Sequence, residues 1–361
     1  MGTNTYYILF TCSENNNIKI ESILTSLSNQ IENYPFNSKN KNIRILACKD
    51  TIELPIKKEL LLKEVHSPFY VFLDETDDVP DTYIEEMMLK WDNTVKNAVV
   101  TACNSKYFRS CLTLITSLFK HSNNDIDFIY VFDLGLTHSE QNVLSTIKKV
   151  IFIPMIEILM YTHTIRTTFP EFLTPNQFAW KPWFIRFVFE HSDIQNVFWL
   201  DSGIVTFGNI KFIFEHIKKY GCWLTEDGFV NHNFTHAVCK EIMQANDEEM
   251  EGTQLLAGLS GFNKDKGLDI LHKWCHFCSI KGCVFGEHWL KEPIPIMSNG
   301  KQFIVHGHRH DQSILSILRI RYKLPTVLKT WDFYEFRSLD HAQKNNSLFY
   351  NHHGSYEDIQ L

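Results

Sequence analysis

The chain has 361 residues and is 44% hydrophobic, enough to bury a sizeable core and to make about two domains. Charged residues make up only 21%, with a formal charge of -7, which argues against a disordered chain and against a dedicated nucleic-acid binder.

In chain order, Tyr6-Tyr7-Ile8-Leu9-Phe10 reads as a first strand. Ile20, Ile23, Leu24 and Leu27 then recur at the spacing of one buried helix face. Ile43 to Ala47 is a second strand ending near Asp50, residues 56–65 look helical, and Phe69 to Leu73 is a third strand. That strand runs into Asp74-Glu75-Thr76-Asp77-Asp78.

A second cycle starts at Ala98-Val99-Val100-Thr101-Ala102. Phe108, Cys111, Leu112, Ile115 and Phe119 mark a helix face, and Phe128 to Phe132 is the next strand. Thr137-His138-Ser139-Glu140 has the form of a capping box, which opens a helix. Val150 to Ile153 is a short strand, and Val197-Phe198-Trp199-Leu200 leads into Asp201-Ser202-Gly203. Two strand–helix–strand cycles predict an α/β fold with a mixed, mainly parallel sheet flanked by helices, behind a smaller N-terminal α/β module. The boundaries are expected at 1–92 for the module and 97–361 for the main domain. Continuous apolar strands fit sheets covered on both faces. Ligands bind beyond the carboxyl ends of such strands, where Asp74, Asp133 and Asp201 fall.

No apolar run reaches the ~18 residues of a membrane span, and Met1 to Phe10 has no basic region ahead of its short apolar stretch. Nine scattered cysteines, an odd number, do not suggest a disulfide framework. A cytoplasmic protein is expected, without a membrane span and without a nucleic-acid partner. Cys275 and Cys278, with His272 near, lie at helical spacing beside Leu271 and Trp274, so core cysteines are favoured over a zinc site. Phe184, Phe187, Phe189, Phe212 and Phe214 are expected in core stripes, and Lys218-Lys219 at a helix C-terminus.

A carboxylate at a strand end suits Mg²⁺ or Mn²⁺, which prefer oxygen ligands and are often shared with a diphosphate. A solvated strand-end acid has the same pattern. Three segments carry a resemblance: Val99 to Tyr107, Trp180-Lys181-Pro182-Trp183, and Phe198-Trp199-Leu200-Asp201-Ser202-Gly203. Together, over about residues 97–353, they resemble GT-A-fold nucleotide-sugar glycosyltransferases of the family-8-like type. That resemblance implies transfer of a hexose from a nucleotide-diphosphate sugar, such as a UDP-sugar, to a hydroxyl on a glycan, protein or small molecule. It implies a nucleotide pocket at Thr101, Cys103, Asn104 and Tyr107, a donor contact at Lys181, and a Mn²⁺ or Mg²⁺ ligand at Asp201. Gly203 stands where the family has a second Asp. His353 resembles the late metal-binding His, and equally fits a solvated tail.

In Leu255 to Phe262, Gly258 allows a close approach of backbone to an acceptor, or marks a bulged strand. In His306-Gly307-His308-Arg309-His310-Asp311-Gln312, a dense polar run precedes an apolar helix. Asp311 is the first candidate to activate the acceptor hydroxyl, although an N-cap role has the same pattern. Asp227 is the second candidate, and His308 and Gln312 are acceptor contacts. Without a metal, Lys181 and Arg309 would have to offset the diphosphate charge. The N-terminal segment resembles the donor half of family-2 glycosyltransferases, cut short and inactive. The rivals are a nucleotidyltransferase, whose Gly-rich loop is missing at Cys103 to Lys106, and a nucleotide- or sugar-binding pseudoenzyme.

Overall fold

The computed structural model describes residues 4–12, 25–27, 41–49, 70–74, 95–329 and 333–352. The chain divides into two compact units, Met1–Val95 and Lys96–Leu361. In the first, β1 (Asn4–Cys12) lies between β2 (Lys41–Lys49) and β3 (Tyr70–Asp74), and all three strands are parallel. The expected helix at 56–65 and the acids after Asp74 lie outside the described residues.

The second unit is built on seven strands. They are β4 (Asn97–Cys103), β5 (Phe128–Asp133), β6 (Val150–Ile153), β7 (Asn196–Leu200), β9 (Cys222–Val230), β10 (Thr253–Asn263) and β13 (Val327–Lys329). Their order across the sheet is β13-β9-β10-β7-β4-β5-β6. The short strand β8 (Ile204–Thr206) leaves this sheet to pair with β15 (Phe349–Asn351), which also pairs with β14 (Tyr334–Glu335), while β11 (Ile294–Ser298) and β12 (Lys301–Val305) form a separate antiparallel pair. Within the seven-stranded sheet β10 runs antiparallel to both neighbours, and the other pairs of that sheet are parallel. The mixed, mainly parallel α/β architecture expected from the alternating elements is therefore present.

Side-chain alternation divides the core into two layers. On β7, Val197 and Trp199 face one side, Phe198 and Leu200 the other, and all four are buried. One layer packs on helix α1 (Phe108–Ser122) through Cys111, Leu114, Ile115 and Leu118. The other holds α3 (Lys181–His191), α5 (Leu268–Cys278) and α6 (His310–Arg321), through Phe184, Val188, Trp274 and Leu315 among others. Each fully buried residue of this kind contributes about 1.5–3 kcal/mol. Cys275 and Cys278 belong to this layer, as expected of core cysteines.

The capping box is formed: Thr137 accepts from the Glu140 N–H, and the Glu140 carboxylate accepts from the Thr137 N–H, opening α2 (His138–Thr146). Lys218 and Lys219 sit in the last turn of α4 (Lys211–Tyr220), where their charge complements the helix dipole. Phe212 departs from its expected core stripe. It is 47% exposed beside buried Phe214, because the one-residue offset turns it about 100° round the helix from Ile213, on the core face. No helix among the described residues is long and apolar enough to cross a membrane.

Candidate active site

Asp201 follows the last residue of β7, and its N–H donates to the Gly258 carbonyl at 3.1 Å, extending the pairing with β10 by one step. β10 shifts register between Leu255 and Ser260, so a bulge spans Gly258. The bulged-strand reading of Gly258 therefore holds, and the group that its backbone approaches closely is the Asp201 carboxylate. A Cβ there would stand 2.7 Å from Asp201 Oδ2. Gly258→Ala is expected to push the carboxylate aside and to cost about 1–3 kcal/mol, read as a lower unfolding midpoint in denaturant.

Lys181 opens α3, with Pro182 in the first turn where its missing N–H costs nothing. A cation at a helix N-terminus works against the dipole, so it needs a local counter-charge. Two acids supply it: Lys181 Nζ lies 3.2 Å from Asp201 Oδ1 and 3.4 Å from Asp311 Oδ2, and it also donates to the Ala257 carbonyl at 3.4 Å. Burial draws the ammonium down, but Asp201 and Asp311 together outweigh it and hold it above its ordinary value. Asp311 is fully enclosed. Burial pushes its carboxyl up to about 6, with Lys181 opposing and Asp201 adding to the rise. Asp311 does not cap α6, since Arg309 holds the cap position without a side-chain bond. The preceding His310 takes a left-handed φ of 47°, a conformation that histidine tolerates better than most residues.

Asp227, near the end of β9, pairs with Arg309 and also accepts from Gln312 Nε2 at 3.0 Å and from the Phe229 N–H at 3.1 Å. Burial raises its carboxyl, with Arg309 opposing. Gln312 is further tied to Gln254 at 3.1 Å. Asp227, Phe229, Arg309 and Gln312 line a cavity of about 570 Å³, together with Asp201, Gly258, Phe178, His288, Trp289 and Phe336. Burial, then His310 and Arg309, push His288 down to about 4, so it stays neutral near pH 7.

A second cleft of about 210 Å³ is lined by Cys103, Asn104, Tyr107, Ser202 and Gly203, beyond the ends of β4 and β7. Asp201, Phe178 and Asn351 line both cavities. Asn104 also caps the turn that carries Tyr107, accepting from its N–H at 3.3 Å. Thr101 does not line this cleft. It is fully buried two residues inside β4, about 7 Å short of the strand end. His308 likewise lies off the larger cavity, buried against His236 with ring centroids 4.0 Å apart, its Nε2 on the Cys283 carbonyl. His353 lies outside the described residues; the N–H of its neighbour His352 donates to the Gly203 carbonyl at 3.0 Å.

Lys181 and Arg309 are not spare cations for a diphosphate, because each already faces carboxylates. Two positive groups against Asp201, Asp227 and Asp311 leave the larger cavity at about -1 when all are ionised. A diphosphate therefore needs a cation brought with it. Asp201 Oδ1 accepts from Trp199 Nε1 at 2.6 Å and faces Lys181, while Oδ2 accepts no hydrogen bond among the described residues. Mg²⁺ commonly takes one or two protein carboxylates and fills its shell with water and substrate phosphate. The donor set fits a cation that arrives with a diphosphate, and among the described residues there is no preformed three-ligand cage.

Four features had no sequence signal: the Lys181 bridge between two acids, and the aromatics Phe229, Trp289 and Phe336 at the cavity. The last three are isolated in loops or at strand ends, where no periodicity marks them.

No protein-family model and no curated protein matches this chain. Among solved structures it is similar to the galactosyltransferase LgtC in complex with donor and acceptor sugar analogs, at 13% identity, TM-score 0.42, and coverage of 70% of this chain and 86% of that one. It is also similar to mouse xyloside xylosyltransferase 1 in its apo form, at 9% identity, TM-score 0.44, and coverage of 71% and 96%. For the apo structure of the bifunctional glycosyltransferase WbbM the values are 9%, 0.43, 94% and 66%. Likeness this distant says nothing about what this chain acts on.

Proposed function

We propose that the chain is a glycosyltransferase that moves a hexose from a nucleotide-diphosphate sugar, a UDP-sugar by the resemblance of its motifs, to a hydroxyl acceptor. The observation that carries this reading is the position of Asp201 on the wall of two adjoining cavities. One is lined by the strand-end residues Cys103, Asn104 and Tyr107, the other by Asp311 and Gln312. In this reading the nucleotide lies in the smaller cleft and the acceptor in the larger, with the anomeric carbon where they adjoin.

Asp311 orients the acceptor hydroxyl and takes its proton, a role suited to a carboxyl with a pKa of about 6, since it is mostly ionised at pH 7 yet more basic than a free aspartate. Lys181 holds Asp201 and Asp311 in register. Asp227, engaged by Arg309 and Gln312, positions Gln312 and does not serve as the base. Asp201 would hold Mn²⁺ or Mg²⁺, with His353 as a second ligand. When bound, such an ion offsets the charge that develops on the departing diphosphate. The first unit is a truncated, inactive family-2-like module in this reading.

The test is release of UDP from a panel of UDP-sugars, with Mn²⁺ and with EDTA, beside Asp201→Ala. Metal-dependent release from one donor, lost in the variant, is expected. The second reading is a nucleotide- or sugar-binding pseudoenzyme, favoured by Gly203 and by the internally compensated charges. It predicts thermal stabilisation by UDP plus Mn²⁺ without release from any donor. Neither release nor stabilisation would sink both readings.

A further inference from the structure

Three of the exposed large apolar side chains of this chain line the 570 Å³ cavity: Trp289 at 57% exposure, Phe336 at 40% and Phe229 at 39%. Exposed aromatics gathered at the wall of a cavity mark a binding surface more often than scattered ones do. Two of the three are held in place. The Arg309 guanidinium lies 3.9 Å from the Phe234 ring centroid, 5.0 Å from that of Phe229 and 6.0 Å from that of Trp289. Trp289 and Phe229 each meet Phe234 edge-on at 5.0 Å. Arg309 in turn is fixed by Asp227, so the aromatic wall is built before any ligand arrives.

The polar groups beside that wall are already engaged. Asp227 accepts from Arg309, Gln312 and the Phe229 N–H, and Gln312 is shared between Asp227 and Gln254. A ligand there meets few free donors or acceptors but a broad apolar face. The cavity charge of about -1 also disfavours an anionic acceptor.

We infer that the acceptor hydroxyl is presented on a neutral molecule carrying an aryl or similarly flat apolar group, which stacks on the wall formed by Trp289, Phe229 and Phe336. This rests on the glycosyltransferase reading for the word acceptor, while the subsite itself is tested by binding alone.

The experiment is calorimetry with paired 4-nitrophenyl and methyl glycosides of glucose, galactose and xylose, in the presence of UDP and Mn²⁺. Free 4-nitrophenol serves as the control. For at least one sugar the aryl glycoside should bind about tenfold more tightly than its methyl partner. Trp289→Ala and Phe336→Ala should bring that ratio toward one, and Trp289→Phe should keep most of it. Trp289 is exposed enough for these variants to fold. Equal binding of the pairs, no binding of any glycoside, or a ratio that survives both alanine variants would overturn the inference. So would 4-nitrophenol binding as tightly as its glycosides, since sugar recognition would then be absent. UDP release by the same protein samples separates the two ideas. An intact ratio without release sinks transfer and keeps the subsite, whereas release without a ratio sinks only the subsite.

Discussion

Lys181→Met is expected to destabilise the second unit by about 3–5 kcal/mol, because it strands the buried carboxylate of Asp311 without its counter-ion. The side chains of Lys181 and Asp311 are each 3% exposed, whereas that of Asp201 is 37% exposed and can recruit water. Most of the loss should therefore be traced to Asp311. Methionine is close to lysine in length and fills the same space, so the change reports charge more than packing. The double variant Lys181→Met with Asp311→Asn should recover a substantial part of the loss, a coupling of about 1–3 kcal/mol in a double-mutant cycle. Urea unfolding of the four proteins measures it. A single-variant cost below about 1 kcal/mol, or strict additivity, would mean that the ammonium does not hold the two acids together. Under the transferase reading the single variant should also lose about a hundredfold in turnover, the scale for one misplaced electrostatic partner in an active site.

How much of this was legible beforehand differs from residue to residue. Asp201 could be found because an apolar run ending in an acid is a local pattern, and β7 carries such a run, Val197 to Leu200, with every residue buried. Asp311 stood out because a dense polar run preceding an apolar helix is also local. Lys181 was picked out, but its pairing with Asp201 and Asp311 was not, since Lys181 to Asp311 spans 130 residues of sequence and depends on how distant strands and helices are set side by side. Register of that kind has no one-dimensional signature. Thr101 and His308 were misplaced for a related reason. The alternation of β4 puts Thr101 on the same face as Cys103, yet says nothing about where the sheet ends. Nothing in a His-x-His-x-His run says which imidazole turns inward. The residues 330–332 and 353–361 and much of the first unit lie outside the described residues, and with them His353.

Asp311 also gives the chain a definite pH signature. Its carboxyl titrates near 6 in the fold against an ordinary value of 3.8, so the native state holds a proton that the unfolded chain has lost between those two values. Stability contributed by this residue is thus complete below about pH 3.8 and falls as pH rises through 6. By linkage the difference is about 3 kcal/mol. The wild-type curve alone does not isolate it, because Arg337 holds Glu335 down to about 2, so that carboxylate's contribution is lost as pH falls from about 4.5 toward 2. The informative quantity is the stability of Asp311→Asn minus that of wild type, measured by urea unfolding from pH 4 to pH 8. It should rise by about 2.4 kcal/mol across that range, since the unfolded carboxyl is already half ionised at pH 4, and flatten above pH 7, where wild type bears the full cost of a buried charge and the amide does not. A flat difference would mean that Asp311 is better solvated, or better paired with Lys181, than its burial implies. The same titration should appear as the acidic limb of kcat/KM for transfer, with an apparent pKa of about 6. If that limb keeps its position in Asp227→Asn, the proton belongs to Asp311; if it moves only when Asp227 is changed, the assignment of the base reverses.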